Sequence, residues 1–344
     1  MNVSPRAGNL RVGRRAITVA AVLTLAVLAI AATPQLLGSR VGQALDGLGQ
    51  ADPGWLWLGG LGFLASLVGS AGAWWSALRL CGSRLSLADT NARYGVGSVV
   101  NTFVPARLGD AVRIGLFSRA FDHRDRLWMT GGAFAAVGAA RALVLAALVV
   151  CGAAAGALPL WPLLVLGLLV GAAVSAAWLC RGQRARTHVA HALDAFRALG
   201  RRPRSGCSIV AWIVLAAAGR LGSAAAISAA LGLRAPLTAA IIIVPALELA
   251  GLLPLTPGNF GVTSGAIAMA LQAHGIGITQ GLSIGIAYHA VETGVSLLFG
   301  VSGLLYVAGG SLHGARRWAV IGVATTVSFA LLGAFGATVL APLV

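Results

Sequence analysis

The chain has no lysine, and all 25 of its basic side chains are arginine. A P-loop needs a lysine that reaches the β- and γ-phosphates, so no nucleotide hydrolase of that type is built into it. Acidic residues are scarce, nine in 344 positions, and only Glu248 and Glu292 are glutamates, which leaves few general bases. The four cysteines, Cys81, Cys151, Cys180 and Cys207, show neither CxxC spacing nor a partnering histidine cluster, so no metal site or disulfide framework is indicated. HExxH, GxSxG and aspartate-rich metal motifs are missing as well, and no cofactor is expected. Charged residues make up 10% of the chain, against about 25% in soluble domains.

What fills the chain instead is apolar: 58% hydrophobic residues and a mean hydropathy of +0.87. Several runs reach the roughly 20 residues that a helix needs to cross a hydrocarbon core about 30 Å thick. They do not alternate apolar with polar as the strands of a membrane barrel would. The expected fold is therefore all-α, a polytopic membrane helix bundle with spans at about 16–37, 55–80, 127–156, 161–180, 208–231, 282–309 and 318–342. Residues 1–15 read as a basic cytoplasmic amino terminus and 16–344 as a single integral membrane domain. The run from Ala16 to Leu37 is longer than the core of a signal peptide and reads as an uncleaved first span.

A net charge of +16 would suit nucleic acid, but the arginines gather in short links between apolar runs, so no nucleic-acid partner is expected. Those links orient the chain. The amino terminus, Arg79 to Arg126, Arg181 to Arg204 and Arg316–Arg317 are cytoplasmic by the positive-inside rule, while the links near 38–52, 158 and 232–236 carry only Arg40 and Arg234. The loop from Arg181 to Arg204 has seven arginines against one acid, Asp194, and suits anionic lipid. The expected location is the cell membrane, multi-pass, with the amino terminus in the cytoplasm.

Two segments do not read as ordinary spans. Residues 94–117 are broken at Pro105 and Gly109, beside Arg107, Asp110 and Arg113, and residues 237–273 are broken at Pro254, Pro257, Gly258 and Gly261. Loop parity works only if each returns to the side it entered, the first from the cytoplasm and the second from outside. Two oppositely oriented re-entrant hairpins, each flanked by spans, form an inverted repeat of about 55–156 and 208–309, an architecture common in transporters. The breaks share P-x-x-x-G, at Pro105 to Gly109 and at Pro257 to Gly261, and Arg141 and Glu292 follow the second glycines by 32 and 31 residues.

Broken backbone at membrane depth must be received by protein or by a water-filled cavity, and freed amides at a helix start favour anions. Arg107 and Arg113 flanking Asp110 suit the phosphate of a lipid headgroup, because guanidinium grips phosphate oxygens in a bidentate way. Arg141, Arg220 and Glu292 lie about ten to fourteen residues inside their spans, where each ionised group costs about 2.5–3.5 kcal/mol without a partner. They suit either a substrate pathway or a buried ion pair, such as Arg141 or Arg220 with Glu292, that only fixes packing. His289 and Glu292 share a polar helix face with Tyr288 and Ser296 that should look into a cavity. His289 suits either a proton relay or a packing hydrogen bond. Glu248, in the second hairpin's first arm, suits a proton sensor or a backbone cap.

At Asn101-Thr-Phe-Val-Pro105-Ala-Arg-Leu-Gly109-Asp110-Ala-Val-Arg113, and far downstream at Pro254-Leu-Thr-Pro257-Gly258-Asn-Phe-Gly261-Val262, the chain resembles the lysylphosphatidylglycerol synthase transmembrane-region family. That family includes the flippase half of the multiple peptide resistance factor. The resemblance covers about 55–306. Bifunctional members carry a soluble aminoacyl-transferase domain after the membrane region, for which this chain has no room. The resemblance therefore implies a stand-alone flippase-like protein and no enzyme. Members often have Glu shortly after the second motif where this chain has Ser264.

The leading expectation is a lipid translocator whose partners are membrane lipids, anionic or polyprenyl-phosphate. Its headgroup site would comprise Arg107, Asp110, Arg113, Arg141, Arg220, Glu248, His289 and Glu292. A membrane-embedded enzyme or accessory subunit of lipid-linked glycan synthesis, and a small-solute secondary transporter, stay open beside it. So do a homo-oligomer and a partner biosynthetic enzyme.

Overall fold

A computed structural model describes residues 51–103, 108–121, 126–154, 203–250 and 260–308, with a few isolated positions besides. Among these residues the chain is all-helical. The eight helices are α1 (Pro53–Leu80), α2 (Leu87–Phe103), α3 (Leu108–Ser118), α4 (Arg126–Ala154), α5 (Pro203–Ala230), α6 (Pro236–Ala250), α7 (Phe260–Gln272) and α8 (Ile278–Ala308). Four of them, α1, α4, α5 and α8, are long and apolar enough to cross a membrane. They coincide with the spans expected at 55–80, 127–156, 208–231 and 282–309. The expected spans at 16–37 and 318–342, and all but isolated positions of 161–180, lie outside the described residues, as do residues 1–15.

The order long, short, short, long occurs twice, with helices of 28, 17, 11 and 29 residues and then 28, 15, 13 and 31. The likeness extends to individual bonds. Gly82 leaves α1 at φ +90° and Gly232 leaves α5 at φ +72°, a left-handed conformation that glycine adopts without a Cβ penalty. The next residues close the same 6→1 turn, Ser83 N–H to Leu78 O and Leu233 N–H to Ser228 O, both 3.0 Å. Each pair of positions is 150 apart, and the sequence G-x-R-x-x-L recurs there, at Gly82 to Leu87 and Gly232 to Leu237.

Helices α1 and α5 pack antiparallel. The Asp52 amide at the start of α1 donates to Ala230 O at the end of α5 (3.1 Å), and at the far end Ser76 Oγ meets Ser208 Oγ (3.0 Å). Between them the seam is made of small residues, among them Gly59, Gly62, Ser66, Gly69, Ala73 and Ser76 on α1, spaced three and four apart so that they share one face. A Cβ added at Gly219 would lie 2.5 Å from Gly62 O and 2.7 Å from Ser66 N, so the backbones are in direct contact. Hydrocarbon provides little hydrophobic drive between helices, and close backbone approach maximises the van der Waals packing that remains.

Helix α1 begins with Asp52 as N-cap, its Oδ1 accepting from Gly54 N–H (2.7 Å), and Pro53 in the first turn. Side chains such as Leu127, Leu143, Leu237 and Met269 point outward, as a hydrocarbon solvent requires. Trp55 and Trp57 at the start of α1 and Trp128 at the start of α4 are exposed at helix ends, where the membrane interface favours indole.

The short helices form two pairs. In α2/α3 the arms are stapled by polar groups: Arg93 Nη1 donates to Leu116 O (2.6 Å) and Gly109 N–H donates to Asn101 Oδ1 (2.7 Å). The breaks at 104–107 and 251–259 lie outside the described residues, and with them Pro105, Arg107, Pro254, Pro257 and Gly258. Gly109 and Gly261 are each the second residue of the outgoing arm, α3 and α7. At Gly109 a Cβ would overlap the Gly97 carbonyl oxygen, so glycine there lets the two arms touch.

Candidate anion site at the α4–α5–α6 cleft

Helices α1, α2, α4, α5 and α6 surround a cleft of about 70 Å³. Its walls are mostly apolar (Val137, Val144, Leu145, Leu148, Ile213, Val244), and its polar groups are Ser66, Ser70, Trp74, Tyr94, Arg141, Arg220 and Glu248. Three charged groups from three helices meet there. Arg141 Nη2 of α4 donates to Glu248 Oε1 of α6 at 2.6 Å, and Arg220 Nη1 of α5 donates to the same oxygen. One carboxylate oxygen therefore bridges two guanidinium groups. Pro245, three residues before Glu248 and inside α6, removes one backbone bond from this part of the helix.

The network continues into α8. Arg220 Nη2 lies 3.9 Å from Glu292 Oε1, and Glu292 Oε2 lies 3.9 Å from His289 Nδ1. Both separations are charge contacts, too long for hydrogen bonds. With two arginines and two glutamates ionised the network is neutral, which is how a low-dielectric site tolerates four charges. Its members differ in access: the Arg141 side chain is 46% exposed, those of Arg220 and Glu248 are 24% and 15%. The outer guanidinium faces the surroundings and the inner one faces protein. Arg141 is thus paired with Glu248, not with the Glu292 that its place in the sequence suggested, and Arg220 reaches both acids.

Asp110 and Arg113 form a second cluster, inside the α2/α3 pair. Arg113 Nη1 donates to Asp110 Oδ1 (2.6 Å), Nη2 to Ser98 Oγ (2.7 Å) and Nε to Tyr94 O (3.3 Å), and the guanidinium stands 3.8 Å from the centre of the Tyr94 ring. Arg113 is buried, with these donors committed to its own hairpin. Tyr94 borders both clusters, because it also lines the cleft.

The polar face of α8 looks into protein. Tyr288, His289 and Ser296 are buried, and the ring of Phe63 meets Tyr288 edge-on at 6.4 Å. No residue of α8 lines the cleft itself. Ser264 is buried on α7, where Gly285 of α8 packs against its backbone.

A family model described as the lysylphosphatidylglycerol synthase TM region matches residues 16–300. The chain belongs to that family. Membership ties this membrane bundle to lipid, and the match takes in both short-helix pairs and every residue of the charged network. No protein of curated function matches the chain.

Several positions at the two clusters were not singled out as site residues in the sequence. Ser66, Ser70, Trp74 and Tyr94 line the cleft, and Ser98 and Asn101 hold the first hairpin. Asn101 and Ser98 stand eight and eleven residues before Gly109, in the other arm of the pair, a polar spacing that was legible but carries no sign of its partners.

Proposed function

We propose that the protein is a lipid translocator of the cell membrane, moving a phosphate-containing lipid, phospholipid or polyprenyl phosphate, without chemically altering it. The observation that carries this reading is the bridged Arg141–Glu248–Arg220 group in a cleft at the side of the bundle. Guanidinium groups already arranged around one carboxylate oxygen suit a phosphate oxygen, and intramembrane charges mark transport paths by default.

In this reading α1–α4 and α5–α8 are an inverted repeat, and α2/α3 and α6/α7 are re-entrant hairpins entering from opposite sides, the amino terminus being cytoplasmic. The antiparallel α1/α5 seam and the turns 150 residues apart support it. The halves are packed differently. Hairpin arm α2 meets α8 backbone to backbone, where a Cβ at Gly95 would stand 2.6 Å from Phe299 O. The corresponding arm α6 faces α4 across the cleft. A cleft of about 70 Å³, against roughly 300 Å³ or more for sites that enclose drug-sized ligands, must widen to take a headgroup. The α4/α6 side is where that happens, with the acyl or prenyl chains left in the bilayer.

The test is transfer of headgroup-labelled anionic phospholipid, aminoacyl phospholipid and polyprenyl phosphate in proteoliposomes. Accelerated movement of one of them, lost with Arg141→Ala while the protein still inserts, is expected. Equal rates in protein-free vesicles for all three would overturn the reading.

A further inference from the structure

The charge balance of the cleft constrains how an anion can enter it. Arg141 and Arg220 carry two positive charges, and Glu248 and Glu292 carry two negative ones. A phosphodiester arriving with one more negative charge would leave the group unbalanced in apolar surroundings, where an unpaired ion is strongly disfavoured. The oxygen that holds the two guanidinium groups now belongs to Glu248, so an incoming phosphate oxygen competes with that carboxylate for the same donors.

Resting on the translocator reading, we propose that Glu248 is a tethered stand-in for the substrate anion, and that a phosphate monoanion displaces it from Arg141 and Arg220 with uptake of one proton by the freed carboxylate. The bookkeeping closes. Two ionic hydrogen bonds to Glu248 Oε1 are exchanged for two to phosphate, one proton comes from water, and the group stays neutral.

The groups facing Glu248 are consistent with this. Helix α4 brings Arg141 and α5 brings Arg220. From α2 comes Tyr94, and from α8 come Tyr288, His289 and Glu292 behind Arg220. Helix α7 contains no ionisable side chain over Phe260–Gln272. Glu292 keeps Arg220 between itself and the cleft, whereas Glu248 lines the cleft, so Glu248 is the carboxylate that an anion meets.

The experiment is binding of short-chain phosphatidylglycerol to the purified full chain in detergent, between about pH 5 and 8, by calorimetry in two buffers of different ionisation heat. A bound proton means that affinity falls as pH rises, by about tenfold per pH unit over the range where Glu248 is ionised in the lipid-free protein and protonated in the complex. One proton taken up per lipid is expected. Glu248→Gln, which cannot ionise, should bind with no proton and no pH dependence.

Lipid binding with no proton uptake by the unaltered chain overturns the proposal even if Glu248→Gln does not fold, and so does a slope that survives in Glu248→Gln. Inorganic phosphate binding as tightly as the lipid, with the same slope, would overturn the lipid assignment and make this a site for free phosphate. Proton-free binding with normal translocation refutes only this inference. Failure of both binding and translocation refutes the translocator reading too.

Discussion

Removing Arg220 and removing Arg141 should have very different consequences, although both guanidinium groups donate to the same Glu248 oxygen. Arg220 is the inner partner. Without it Glu248 loses its inner guanidinium and still faces the half-exposed Arg141, and Glu292 loses the guanidinium 3.9 Å away. An ionised side chain short of a partner at membrane depth costs about 2.5–3.5 kcal/mol, and breaking a buried pair from one side costs about 3–5 kcal/mol. Arg220→Ala should therefore destabilise the protein by about 3 kcal/mol. Arg141, with 46% of its side chain exposed, is the outer partner; its removal leaves Glu248 still held by Arg220, so no acid is stranded, and interhelical hydrogen bonds in membranes average about 0.6 kcal/mol. Arg141→Ala should cost less than about 1 kcal/mol. The assay is reversible unfolding in mixed micelles, with Arg220→Ala/Glu248→Ala completing a double-mutant cycle. The double mutant should recover part of the loss, because it removes the stranded charge with its partner. Equal destabilisation by the two single substitutions, or no recovery in the double, would refute the inner-and-outer assignment.

The α1/α5 seam yields a paired test: Gly219→Ala should destabilise by about 1–3 kcal/mol through forced separation of backbones, whereas Gly222→Ala, with no atom within 4 Å of the added Cβ, should be neutral or stabilising, as thermal unfolding would register. Ser76→Cys with Ser208→Cys, on a background without the native cysteines, should crosslink under mild oxidation because the serine oxygens are 3.0 Å apart. Absence of a crosslink would contradict the antiparallel seam. Asn101→Ala strands the Gly109 amide and should cost about 1–3 kcal/mol, visible as faster proteolysis of the α2/α3 pair.

The four long helices were legible because a span must satisfy its own backbone and present apolar side chains throughout, so composition and length alone mark it. The short-helix pairs were legible from Pro105, Gly109, Pro257 and Gly261, which interrupt that pattern. The expectation of a repeat rests on topology and on one P-x-x-x-G match. The matching turns at Gly82 and Gly232 carry a shared G-x-R-x-x-L that was passed over, because it sits in ordinary interhelical links where arginine and glycine are common.

The candidate site was legible only as an inventory. Arg141, Arg220, Glu248 and Glu292 stood out because charge at membrane depth is costly, yet which arginine met which acid did not follow from their positions. Of the two pairings expected with Glu292, the one with Arg220 is found at 3.9 Å, whereas Arg141 meets Glu248, which bridges both arginines.

By itself, then, the sequence determined a membrane-spanning helical bundle of this family, with two interrupted segments and a few intramembrane charges, since these depend on local hydropathy, backbone breaks and motif order. Only the tertiary structure decided that Glu248 is the hub, that Arg113 is committed to its own hairpin and that the cleft lies between α4 and α6. Pairing depends on how far helices rotate and cross, and those angles are set by small-residue seams such as Gly62–Gly219, through contacts between residues more than a hundred positions apart.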